Sequence, residues 1–109
     1  MNSMRNFRTL KEAQKDRDEL QDYINLIELY KPKAPHQHVV FQYALHGSIN
    51  KASNNLNVLQ VDLDGEPFTP ENTKTLLLTT PSKEDELHKT VRRLFLKRGR
   101  TSRRKINSY

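Results

Sequence analysis

Along 7–31, FRTLKEAQKDRDELQDYINLIELYK, apolar residues recur at spacings of three and four with no Pro or Gly between them. Leu10, Ala13, Arg17, Leu20, Ile24 and Ile27 form a heptad seam, which Tyr23, Leu26 and Tyr30 widen toward its C-terminal end. One long helix is expected. Two readings of it stand open. Either its second half packs on the rest of the domain, or the seam pairs two copies of the chain, with polar Arg17 helping to set the register.

KPKAP, residues 31–35, ends this helix, because each proline disfavours helical backbone at the residue before it. In the following HQHVVFQYALHG, Val39, Val40, Tyr43 and Ala44 share one face, and Gly47 is placed to take a left-handed cap. Ser48 then caps a short helix from Ile49 to about Asn57 with Ile49, Ala52, Ser53 and Leu56 facing inward. From Val58 the period changes. Val58, Gln60 and Asp62 alternate with Leu59, Val61 and Leu63 up to Asp64-Gly65, the pattern of a small β-hairpin.

Two more helices follow. Thr69 as cap, Pro70 and Glu71 open one that runs to near Thr80, with Thr73, Leu76, Leu77 and Thr80 inward. Ser82 with Asp85 fits a capping box for the last, whose apolar stripe is Leu87, Val91, Leu94 and Phe95. The expected fold is mainly α: a helix-turn-helix bundle with a long N-terminal helix and a small β-hairpin inserted before the recognition helix. It divides into a long N-terminal helix over 1–35, a core over 36–96 and a basic flexible tail over 97–109.

Composition narrows the function. Only 34% of the 109 residues are hydrophobic and mean hydropathy is −0.89, so the core is small. The absence of cysteine removes disulfides, zinc ribbons and thiol catalysis, and no apolar run suits a membrane span or signal peptide. A cytoplasmic protein is expected. The charge of +6 is segregated: residues 1–82 hold 9 Lys/Arg and 10 Asp/Glu, whereas 83–109 hold 10 Lys/Arg and 3 Asp/Glu. A near-neutral body with a basic end suits a polyanion partner.

Gly47-Ser48 followed by INKASNNLN resembles the first helix of the helix-turn-helix in bacterial and phage regulators. Leu56-Asn57, Gly65, Phe68, Thr69-Pro70 and Leu76-Leu77 resemble the DNA-binding region of large serine recombinases, over residues 39 to 80. The catalytic serine domain and the zinc ribbon of that family are absent. The resemblance implies double-stranded DNA as partner, a major-groove helix at 70–80 and a regulatory or DNA-architecture role in a bacterium or phage. Candidate contacts are Ser48 and Lys51 at the turn, and Asn72, Lys74, Thr75 and Thr79 on the outer face of that helix. Arg92, Arg93, Lys97, Arg98, Arg100, Arg103, Arg104 and Lys105 suit phosphates. Arg98-Gly99-Arg100 also resembles the core of an AT-hook, without its flanking prolines.

No phosphate loop, nucleophile elbow or metal-ligand spacing is present, and Asp62, Asp64 and Glu66 lack the rest of a calcium loop. No enzymatic activity, cofactor, metal or small-molecule substrate is expected. Two rival readings are an RNA-binding protein, given the Arg-rich end, and an adaptor acting through the N-terminal helix.

Overall fold

A computed structural model describes residues 9–61 and 63–107, the side chains of 100–107 excepted. It contains five helices: α1 (Leu10–Leu29), α2 (Pro35–His46), α3 (Ile49–Val58), α4 (Pro70–Leu77) and α5 (Glu86–Asn107). Helices α2, α3 and α4 pack on one another, α5 lies across α2, and α1 leans on α2 and α5. The buried centre is Val39, Val40 and Tyr43 of α2, Leu56 of α3, Phe68, Leu77 of α4, and Leu87 and Val91 of α5.

Each helix start carries local chemistry. Thr9 caps α1 through a reciprocal pair, in which Glu12 N donates to Thr9 Oγ1 (3.2 Å) and Thr9 N donates to Glu12 Oε1 (3.0 Å). Pro35 begins α2, and the Gln37 side chain accepts from Lys33 N and Ala34 N at 2.8 and 2.9 Å. Gly47 then adopts φ 68° and donates its N–H to Tyr43 O at 2.7 Å, ending α2 in two residues before Ser48 caps α3. A side chain at Gly47 would be strained by that φ. Helix α4 runs only to Leu77, so Thr80 is exposed beyond it.

The inserted β-hairpin is not formed: there is no strand among the described residues. Asp64 (φ 50°) and Gly65 (φ 82°) make a tight turn, and Leu63 and Glu66 pair across it as one isolated antiparallel bridge. The arms fail for a local reason. Val58 remains in α3, and Gln60 enters the left-handed region at φ 59°, incompatible with extended backbone. Gln60 N donates to Asn57 O (3.1 Å) and Val61 N to Leu56 O (3.1 Å), the two bonds of a Schellman helix end. Val58 and Leu59 are left 79% and 61% exposed, and only Val61 and Leu63 of the alternating residues pack on the core. Asp62 lies outside the described residues.

A side chain does the work expected of the hairpin ladder. Asn57 Nδ2 donates to Phe68 O at 2.8 Å while Phe68 N donates to Asn57 Oδ1 at 2.7 Å. This amide clamp closes the 58–67 loop and seats the buried Phe68 directly before Thr69, the cap of α4.

Candidate nucleic-acid interface

Helix α5 holds the bundle together at three helix ends. Its cap is Asp85 rather than Ser82, since Asp85 Oδ1 accepts from His88 N at 3.0 Å. The second Asp85 oxygen accepts from Tyr30 OH at 2.8 Å, tying in the end of α1. Burial first, and then the hydrogen bond and negative charge of Asp85, push the Tyr30 phenol well above its ordinary pKa. Tyr23 is raised too, by burial and then by Tyr43. One turn into α5, buried His88 donates from Nε2 to Leu77 O at 2.8 Å, which leaves its buried Nδ1 without a protein partner. Arg92 Nε donates to Leu78 O at 3.1 Å. Both bonds satisfy carbonyls at the open end of α4. Farther along, Arg98 Nη1 donates to Gly47 O (3.0 Å) and Tyr43 OH (3.1 Å), closing the end of α2.

Arg92 and Arg98, expected on phosphates, therefore spend donors on the fold. Register carries the signal: Val91, Phe95 and Arg98 recur at i, i+4 and i+7 on the inward line of α5, and Arg92 follows buried His88 by four. The opposite side behaves differently. Positions 93, 97, 100 and 104 repeat at i, i+4, i+7 and i+11, a single line along α5, and Arg93 and Lys97 are exposed. The backbone stays helical through Gly99 to Asn107, so Arg98-Gly99-Arg100 is not extended as an AT-hook requires. The side chains of Arg100, Arg103, Arg104 and Lys105 lie outside the described residues.

On α4, three of four candidate readers bond to their own backbone. Asn72 Oδ1 accepts from Thr69 N (2.8 Å) and its Nδ2 donates to Pro67 O (3.2 Å). Thr75 Oγ1 donates to Glu71 O (3.0 Å) and Thr79 Oγ1 to Leu76 O (2.7 Å). Lys74 is exposed on the outer face. At the turn, Ser48 Oγ accepts from Lys51 N at 3.3 Å and is the α3 cap, while the Lys51 side chain is exposed. Asn55 Nδ2 donates to His46 Nε2 at 2.8 Å, bracing α2 against α3 behind that turn.

The seam of α1 divides. Ile27 packs on the core with Tyr23, Leu26 and Tyr30, whereas Leu10, Ala13, Arg17, Leu20 and Ile24 are exposed. Asn57, Asp85 and His88 were not singled out as organisers of the site by sequence. Among the described residues no group of three or more His, Cys, Asp or Glu could hold a metal ion. No helix among them is long and apolar enough to cross a membrane. Comparison with family models, curated proteins and solved structures finds no match for this chain.

Proposed function

We propose that this chain binds double-stranded DNA, with the α2–α3–α4 unit as reading head and the basic line of α5 on the phosphates. One observation carries the reading. After Glu86 the chain holds nine Lys/Arg and no acidic residue in 23 positions, and α5 sets four of those cations in one line, about 16 Å long by helical rise. Lys74 of α4 and Lys51 of α3 are exposed as well. The aromatic residues favour a duplex over a single strand. Tyr43 and Phe68 are buried, Tyr30 stacks on Phe41, and Tyr43 meets Phe95 edge-on, so none of these forms an open stacking platform.

Because Asn72, Thr75 and Thr79 are engaged at home, the base-reading load falls on Lys74, and phosphate contacts supply most of the affinity. The test is binding of a labelled duplex across a salt series. Four phosphate contacts give a log–log slope near −4, at about 0.9 per phosphate. Neutralising Arg93, Lys97, Arg100 and Arg104 together abolishes most of that slope, while Lys74→Ala lowers discrimination between sequences more than it lowers overall affinity. A chain that binds no duplex at low salt, or whose binding ignores salt, defeats the reading.

A further inference from the structure

We infer that two copies of this chain associate through α1, each α1 lying antiparallel to the other in the groove between α1 and α5. The groove, about 930 Å³, is walled by Ala13, Arg17, Leu20 and Ile24 of α1 and by Thr90 and Leu94 of α5. Its Leu20 and Ile24 are 62% and 44% exposed, Leu10 farther up the same seam is 76% exposed, and no residue of α1 is buried. A fully solvated polar helix has no reason to carry a heptad seam. Here the seam has used only Ile27 on its own core.

Charge selects the occupant. Helix α1 carries three Lys/Arg and six Asp/Glu, whereas α5 beyond Glu86 carries only cations. The charged groups lining the groove are Asp16, Arg17 and Glu19 of α1 and Arg93 of α5, so a second α1 brings its carboxylates to Arg17 and Arg93, whereas a second α5 brings only further cations. Area points the same way. The segment 10–24 is about 22 Å long, and half of its cylinder is on the order of 400 Å². A stable interface needs about 800 Å² from each partner. Helix against helix alone falls short, so the pairing draws on contact with Thr90, Arg93 and Leu94 of the α5 wall as well.

Arg17 fixes the direction. A parallel pair sets Arg17 against Arg17, two cations at one core layer. In an antiparallel pair centred between Arg17 and Leu20, Arg17 meets Leu20 of the second copy and small Ala13 meets bulky Ile24. Arg93 also lines this groove, so the two-fold arrangement covers the near end of the outer line of α5 and leaves Lys97 outside the groove.

The experiment is sedimentation of the full chain across the micromolar range, with Leu20→Glu and Leu10→Glu beside it. The unaltered chain sediments as a dimer, and either substitution halves the mass with helical circular dichroism retained, because both positions are exposed in the single chain. Two altered positions keep the test decisive should one variant lose its fold. Since the protein has no cysteine, oxidative cross-linking gives the direction: Ala13→Cys mixed with Ile24→Cys yields a disulfide dimer, and Ala13→Cys alone yields none. A monomeric unaltered chain, or a dimer that survives both glutamates, overturns the inference. Self-cross-linking of Ala13→Cys overturns the antiparallel order.

Discussion

Gln60 holds a backbone conformation that its side chain disfavours, and the helix end depends on it. The left-handed φ of 59° lets Val61 double back so that its N–H reaches Leu56 O, with an apolar residue following the helix as such ends prefer. Glycine adopts this conformation without the Cβ conflict, which is worth about 1–2 kcal/mol for other residues. Gln60→Gly therefore raises stability by about 1 kcal/mol, visible as a higher denaturant midpoint; a lower midpoint would mean that the Gln60 side chain stabilises the loop itself. Asn57 is the opposite case. Its amide supplies both a donor and an acceptor to Phe68, so Asn57→Ala costs about 1–3 kcal/mol and Asn57→Asp, which keeps only the acceptor, also destabilises.

At the scale of the helices, what could be read beforehand was what repeats locally. Gly47-Ser48 and Thr69-Pro70 each announce a helix boundary within three or four residues, and the structure uses both. The hairpin misled because alternation over 58–63 specifies a strand only if one face is buried, and burial depends on partners distant in sequence. The Arg98 bond to Gly47 spans 51 positions and the Tyr30 bond to Asp85 spans 55, so neither leaves a local trace. A count of charges does not separate the inward line of α5 from the outer one, so by sequence every arginine of α5 suits a phosphate. The Tyr30–Asp85 link between α1 and α5 has a measurable pH signature. Folding raises the Tyr30 pKa, so its contribution is complete below about pH 10, where the unfolded phenol still keeps its proton, and declines as pH rises above that. Tyr30→Phe lowers stability at neutral pH through the lost hydrogen bond and reduces the alkaline decline, since Tyr23 still titrates there. An unchanged alkaline limb would mean that other groups dominate it.

For the whole molecule, α5 serves two purposes in two stretches of one helix. Up to Gly99 it supplies Leu87, His88, Val91, Arg92, Phe95 and Arg98 to the bundle, closing the ends of α4 and α2. Beyond Gly99 the four remaining Lys/Arg belong to a stretch whose only large apolar side chains are Ile106 and Tyr109. Like charges at i, i+4, such as Arg100 and Arg104, each weaken such a helix by about 0.2–0.5 kcal/mol, and an anionic surface removes that repulsion. Fold and binding should therefore separate at Gly99. A chain ending there keeps the melting temperature of the full protein, because Arg98 and the core from Val39 to Val91 remain, but loses affinity for duplex DNA and shows a shallower salt slope. Arg98→Ala in the full chain does the reverse: it costs about 1 kcal/mol, discounted because the guanidinium is exposed, and takes at most one phosphate contact from the slope. If truncation at Gly99 lowered the melting temperature as much as Arg98→Ala, the distal stretch would belong to the fold. If it left the salt slope unchanged, the phosphate-binding line would have to end at Lys97.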